Sequence, residues 1–324
     1  MTVLACDLGG TRMKIGVVRD GRVLAQAIEP SHSHLGLAPQ LPVLAGTWRR
    51  LLTGLRLTLP DCLGVTVAFP SLVDITTGRV LAETGKFDDA LKLDLREWAR
   101  TELGLPLMIE NDARLALIGE WRAGAGQGSD NLVMITLGTG LGVCALIEGR
   151  VLRGKHGQAG VQGGHLTVRC GGRQCYCGNV GCAEAEASTA FLRPLAEASS
   201  GWERSSLRTA APLDYARVFT DAAAGDACAI AVRDHSLLVW GSLAVSLIHA
   251  YDPEVLILGG GIMASADVIL PAITAYVNRH ADTPWGKVRV VPSALGDEAA
   301  LVAGEWILRE QQDFPIPPQP SRFL

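Results

Sequence analysis

The residues of this chain that can do chemistry fall into three groups: glycine turns at strand ends, a Glu-Asn-Asp triplet, and a knot of cysteines with one histidine. The first turn lies in Asp7-Leu8-Gly9-Gly10-Thr11-Arg12-Met13-Lys14. Consecutive glycines after a buried strand let backbone N–H groups approach phosphate oxygens, Thr11 can add its hydroxyl, and Asp7 can hold a water of Mg2+. Gly138-Thr139-Gly140-Leu141-Gly142 repeats the pattern. Leu256-Ile257-Leu258 then runs into Gly259-Gly260-Gly261, where a flat adenine or ribose can lie against bare backbone. Each turn alone is equally an ordinary glycine turn. None carries Gly-Lys-Ser/Thr, and Gly259-Gly260-Gly261 does not fit Gly-x-Gly-x-x-Gly, so neither a Walker loop nor a dinucleotide fingerprint is present. It is the order and spacing of the three that carry the phosphate reading.

Glu110-Asn111-Asp112 ends an apolar strand and precedes a helix. A carboxylate at such a strand end suits a general base for a weak hydroxyl nucleophile. Asn111 or Asp112 can equally be the cap of the helix that follows, and on residue type alone capping is the commoner role. His165 followed by Cys175-Tyr176-Cys177-Gly178-Asn179-Val180-Gly181-Cys182 offers one imidazole and three thiolates, the four tetrahedral ligands that structural Zn2+ prefers. Gly178 and Gly181 let the chain wrap round an ion, and Cys170 is a further candidate ligand. A four-ligand site leaves no open position, so the metal would be structural. Cys6, Cys62, Cys144 and Cys228 lie on apolar stretches and read as buried thiols.

These groups need positioning elements. Hydrophobic alternation and turn residues give strands over Val3–Leu8, Lys14–Arg19 and Val23–Ala27, then a helix over 41–59 and a strand Cys62–Phe69 stopped by Pro70. An amphipathic helix over Leu91–Leu103, a strand Leu107–Glu110 and a helix Ala113–Arg122 follow. The pattern restarts with strands Asn131–Leu137 and Gly142–Glu148. A polar Gly- and Cys-rich stretch covers 153–182, helical stretches cover 184–200 and 214–250, and Val255–Leu258 is a strand. Asp297–Arg309 is a last helix, with a loose Pro-rich tail from Pro315. Two hairpin-led α/β halves, each with a phosphate-sized turn, imply a nucleotide held in a cleft between two domains. We place one at 1–118 plus 297–324, smaller and closed by the C-terminal helix, and a larger one at 119–296 containing the loop 165–182.

Composition narrows the class. The 324 residues are 48% hydrophobic and 19% charged with a net charge of −4, so no basic field points to nucleic acid or anionic membrane. The most apolar window, Leu132 to Ile147, is too short for a membrane span and is broken by glycines. The chain opens without a charged leader, so a soluble cytoplasmic protein is expected. There, eight cysteines point to metal or free thiols before disulfides.

The order Asp-x-Gly-Gly-Thr, Glu-Asn-Asp, Gly-Thr-Gly-x-Gly, a His/Cys cluster and Gly-Gly-Gly resembles the ROK family of repressors and sugar kinases, within the actin/hexokinase/Hsp70 ATPase superfamily. The resemblance runs from about Leu4 to Leu308 and is most specific over 165–184. It implies two RNase H-like α/β domains and ATP- and Mg2+-dependent phosphorylation of a hexose or N-acetylhexosamine hydroxyl. It also implies a homodimer. It places the catalytic base on Asp112 and a sugar contact on Asn111. The zinc ligands become His165, Cys175, Cys177 and Cys182, with His165 and Glu184 facing the sugar.

Three positions depart from the family. The usual Gly-Glu-x-Gly-His is here Gly160-Val161-Gln162-Gly163-Gly164-His165, so that aligned from His165 the sugar-contacting Glu becomes Gln162. The usual Pro-Gly becomes Pro70-Ser71, and the usual Asn/Trp stretch becomes Thr84-Gly85-Lys86-Phe87-Asp88. These changes bear on the acceptor and count against the usual substrates, glucose and N-acetylmannosamine, without touching the phosphoryl-transfer residues named above. His156 matches a family position near the pocket and reads equally as a surface histidine. Repressors of the family carry a helix-turn-helix before the first loop, for which six residues leave no room. A catalytically silent sugar sensor and an iron–sulfur ATPase are the remaining alternatives. Intact Asp112 and phosphate turns oppose the first, and the Cys3His donor set opposes the second.

Overall fold

The computed structural model describes residues 2–313; the tail read from Pro315 lies outside them. In chain order the strands are β1 (Thr2–Leu8), β2 (Arg12–Arg19), β3 (Arg22–Pro30), β4 (Cys62–Phe69), β5 (Val73–Asp74), β6 (Arg79–Val80) and β7 (Leu107–Asn111). They continue as β8 (Leu132–Leu137), β9 (Leu141–Ile147), β10 (Arg150–Val151), β11 (Val255–Gly259) and β12 (Arg289–Pro292). The helices are α1 (Leu41–Gly54), α2 (Leu95–Leu103), α3 (Asp112–Ala123), α4 (Ala183–Ala187) and α5 (Leu192–Glu197). The remaining helices are α6 (Tyr215–Ala223), α7 (Ala227–Tyr251), α8 (Ala266–His280) and α9 (Ala299–Asp313).

Two compact units result. One is drawn from Met1–Gln127, Arg153–Gln158 and the chain from Asp297 on; the other is Gly128–Leu152 with Ala159–Gly296. The first boundary falls after Gln127 instead of at 118 because α3 runs unbroken to Ala123 and packs along α9. Each unit is built on a five-stranded sheet, ordered β3-β2-β1-β4-β7 in the first and β10-β9-β8-β11-β12 in the second. In both, three antiparallel strands lead into two parallel ones. The duplication of turns seen in the sequence is thus a duplication of topology.

Burial explains the first sheet. β1 is apolar on both faces because both are covered: Leu4, Cys6 and Leu8 join α1 residues Leu44 and Trp48, while Ala5 packs with Val18 and Leu301 of α9. β3 alternates half-buried and exposed residues, the signature of an edge strand with one wet face. Register then places the chemistry. Asp7 lies opposite Ala68, Ala68 opposite Glu110, and Phe69 opposite Asn111. The parallel strands β1, β4 and β7 therefore bring Asp7 and the Glu110-Asn111-Asp112 triplet to one C-terminal edge.

In the second unit, Val133, Ile135 and Leu137 of β8 and Leu256 and Leu258 of β11 share a core with α6, α7 and α8. Ala227–Tyr251 and Gly261–His280 are long and apolar enough to cross a membrane by length and composition. α7 instead buries Val232, Trp240, Leu243 and Leu247 in that core. Sequence periodicity gave no sign of α8 or β12. Pro271 interrupts the helical pattern of α8, and β12 has only four residues. The helix read over Leu91–Leu103 begins later, at Leu95, because Asp94 accepts a hydrogen bond from the Glu97 amide and caps it. The stretch 184–200 breaks into α4, a 3-10 turn and α5.

Candidate functional site

In the first unit the acidic edge is tightly specified. The Asn111 Oδ1 accepts a hydrogen bond from the Arg114 amide at 3.2 Å, so Asn111, not Asp112, caps α3. Its Nδ2 donates to the Ser71 carbonyl at 3.3 Å and to the Asp112 Oδ1 at 3.0 Å. That Asp112 oxygen also accepts from the Ala113 amide at 2.8 Å. Burial, then repulsion from Asp7, pushes the Asp112 carboxyl up to about 6, against the lowering effects of the Ala113 amide and the Lys86 charge. Asp7 is itself raised by burial and held down by Lys14, whose ammonium lies 3.4 Å from it and 2.9 Å from Asp297. Two mutually repelling carboxylates at one sheet edge are a donor set suited to a divalent cation and its waters.

Behind this edge is a residue to which the sequence reading assigned no role. The Glu110 side chain is fully buried, accepts from the Asn111 amide at 2.8 Å, and is paired with Arg114 at 3.4 Å and Arg153 at 2.8 Å. Arg114 also donates to the Gly157 carbonyl at 2.7 Å. Glu110 thus fixes the backbone of Asn111 and ties segment 153–158, which carries the exposed His156, into this unit. A buried carboxylate among apolar residues is the signal that could have found it. The Ser71 side chain is buried and its hydroxyl donates to the Ala82 carbonyl at 2.6 Å, leaving the backbone carbonyl for Asn111.

The Gly9–Thr11 turn lies between β1 and β2. The Gly10 carbonyl accepts from the hydroxyls of Ser31 and Ser33, both at 2.7 Å, and Thr11 is exposed. In the second unit the Gly138-Thr139 and Gly261 turns line one cavity of about 220 Å3, together with Thr189, Ile262 and the Asp214–Ala216 start of α6. Gly260 has φ +88°, and a Cβ there would lie 2.3 Å from the Leu137 carbonyl, so only glycine lets β11 turn against β8. The α6 wall lies far along the chain from the glycines, and nothing in the sequence marked it.

The His/Cys residues converge. Ligand atoms of His165, Cys175, Cys177 and Cys182 all lie within 4.8 Å of one another. The Cys175 Sγ is 3.6 Å from the His165 Nδ1, and the Sγ atoms of Cys177 and Cys182 are 3.7 Å apart. A disulfide requires about 2.0 Å. A tetrahedral zinc with Zn–S of about 2.3 Å and Zn–N of about 2.0 Å sets sulfur–sulfur edges at roughly 3.8 Å and sulfur–nitrogen edges at roughly 3.5 Å. The donor set therefore fits that ion; Cys170 is exposed and outside the cluster.

The other His165 nitrogen, Nε2, is 4.0 Å from the Glu184 Oε1. Glu184 is buried in α4; its Oε2 accepts from the Leu141 amide at 2.8 Å, and its Oε1 from the Tyr176 hydroxyl. Gly140 makes this possible, since a Cβ there would lie 2.5 Å from the Glu184 Oε2. The second glycine turn thus joins the His/Cys loop through Glu184. Gln162 lies on a 3-10 turn at Val161–His165 and is exposed.

A family profile described as the ROK family matches residues 3–311. A glucokinase of Halalkalibacterium halodurans is 31% identical over 323 residues, covering 95% of this chain and 94% of that protein. The crystal structure of a ROK hexokinase from Thermus thermophilus superposes with a TM-score of 0.78 at 29% identity, covering 97% of this chain and all of that one. A ROK glucokinase from Streptomyces griseus in complex with glucose and AMPPNP gives a TM-score of 0.75 at 27% identity, over 96% of this chain and all of that one. The sheets, the paired glycine turns and the profile agree: this chain belongs to the ROK family.

Proposed function

We propose that this chain is an ATP-dependent sugar kinase, phosphorylating a hydroxyl of a hexose or N-acetylhexosamine with Asp112 as general base. The observation that carries the reading is the Asp112 carboxyl, half-buried at the start of α3 and raised to about 6. A carboxylate so tuned is ionised at neutral pH yet basic enough to take a proton from a sugar hydroxyl as it attacks. Asn111, held by Ser71 and Asp112, orients the acceptor, and Glu184 and His165 bind further hydroxyls. Gln162 can offer an amide to the sugar where the family resemblance leads one to expect a carboxylate. Asp7, Gly9, Gly10, Thr11 and Lys14 serve the phosphates. Gly138, Thr139 and Gly140 are further phosphate contacts, and Gly259, Gly260 and Gly261 receive the adenosine, with Gly261 lining the cavity beside α6.

Mg2+ bound with the nucleotide would supply positive charge against the phosphoryl oxygens, and Asp7 would hold its waters. His165, Cys175, Cys177 and Cys182 would hold a structural zinc that orders the loop between His165 and Glu184. A cytoplasmic homodimer completes the reading. The decisive experiment is ADP release with MgATP across a panel of neutral hexoses and N-acetylhexosamines. Turnover well above the ATPase background with at least one sugar is expected, and none with any sugar would end the proposal.

A further inference from the structure

Lys86 sits in the Thr84–Asp88 stretch that the sequence reading set apart from the family pattern. Its position is built, not incidental. The neighbouring Phe87 is buried, its ring packs on Phe69, and its amide donates to the Ser33 carbonyl at 2.9 Å. Ser33 in turn donates its hydroxyl to the Gly10 carbonyl at 2.7 Å. Thr84 and Gly85 amides both donate to the Asp88 Oδ1, at 3.2 and 3.1 Å, closing the loop. The Lys86 stem then lies on the phosphate turn itself. The place of a Gly10 Cβ is 3.0 Å from the Lys86 Cε and 3.6 Å from its Nζ. A side chain at position 10 would displace the lysine.

Lys86 is half-buried and forms no ion pair with a protein carboxylate among the described residues. Its charge is felt at Asp112, where it opposes the effect of burial. A half-buried cation against a phosphate turn, its charge acting on the general base and unpaired within the described residues, is placed to meet an anion of the ligand. Of the anions the reaction offers, the phosphoryl group passing from nucleotide to sugar is the one that must lie near both Gly10 and Asp112.

We propose that Lys86 contacts the transferring γ-phosphoryl group and stabilises the charge on its oxygens during transfer, a catalytic role beyond the general base. The inference rests on the kinase reading above. As the γ-phosphorus–oxygen bond to the nucleotide breaks and the bond to the sugar oxygen forms, Asp112 takes the hydroxyl proton and ADP leaves. Lys86 gains or loses no proton in the step and acts through its fixed charge.

The test is Lys86→Met, which keeps most of the stem and removes the charge, with Lys86→Arg beside it. With a neutral hexose, Lys86→Met is expected to lower kcat by about 100-fold or more, the usual effect of removing one charge-stabilising donor. KM for the sugar should change less than threefold, the melting midpoint should stay unchanged, and Lys86→Arg should recover part of kcat. Binding gives a readout independent of turnover: Lys86→Met should weaken AMPPNP about tenfold while leaving ADP unaffected. Wild-type kcat in Lys86→Met, or equal affinity changes for AMPPNP and ADP, would overturn the proposal. So would a loss seen only with acidic sugars, which would assign the cation to the acceptor. Failure of the kinase reading itself looks different, because then the wild-type chain turns over no sugar.

Discussion

At the scale of single residues, the sequence left open whether Asn111 or Asp112 caps the helix that follows, and the structure gives the cap to Asn111. Asn111 caps α3, which frees Asp112 for other work while its Oδ1 stays hydrogen-bonded. Asp112→Asn should therefore fold normally and bind sugar and ATP, yet lose kcat by at least about 100-fold, the low end for removal of a general base. Steady-state kinetics beside a melt will check this, and near-normal turnover would mean that Asp112 is structural only. The pH dependence follows from the raised carboxyl. The base form vanishes as pH falls through about 6, so kcat/KM should drop about tenfold per unit below that value and level off above it. Stability runs the other way. A carboxyl raised by folding makes the native state less stable as pH rises from its ordinary value through about 6, so Asp112→Asn should melt no lower than wild type at pH 8.

At the scale of elements, two devices hold the site and each makes a prediction. The loop from His165 to Cys182 is held by two isolated bridges, Thr167 with Cys182 and Gln174 with Val180, and its His and Cys side chains converge on one point; the proposed zinc would add to that order. Washed protein should carry about one zinc per chain by elemental analysis, as a four-ligand site requires. Cys177→Ser should lose it and raise the KM for sugar through Glu184 and His165. A stoichiometric iron signal, or full zinc retention in the variant, would contradict the assignment. The second device is the seam between α3 and α9, where a Cβ on Gly119 would fall 2.0 Å from the Ala299 carbonyl. Gly119→Ala should force these helices apart and cost about 1–3 kcal/mol, measured by denaturant unfolding. A neutral result would show that the seam is looser than the structure describes.

At the scale of the whole molecule, the first unit is assembled from pieces remote in sequence, with α9 covering the sheet face that Ala5 and Val18 present. A chain ended at Gly296 should bare that face and fail to yield soluble protein; a soluble, cooperative product would show that α9 is dispensable. What the sequence determined by itself was local. Glycine turns, buried strands and the cysteine spacing are legible because backbone freedom, two-residue alternation and thiolate chemistry are properties of neighbours along the chain. The repeated strand–turn pattern even disclosed that the fold is doubled. What only tertiary structure decided were the meetings of residues far apart: Glu110 with Arg153, Lys86 over Gly10, Glu184 against Gly140, and the α6 wall beside Gly261. Helix α8 and strand β12 were missed for the same reason, since a helix with an internal proline and a four-residue strand are stabilised by what they pack against. Such contacts are set by strand register and by the closure of sheets under helices, and no window of sequence contains them.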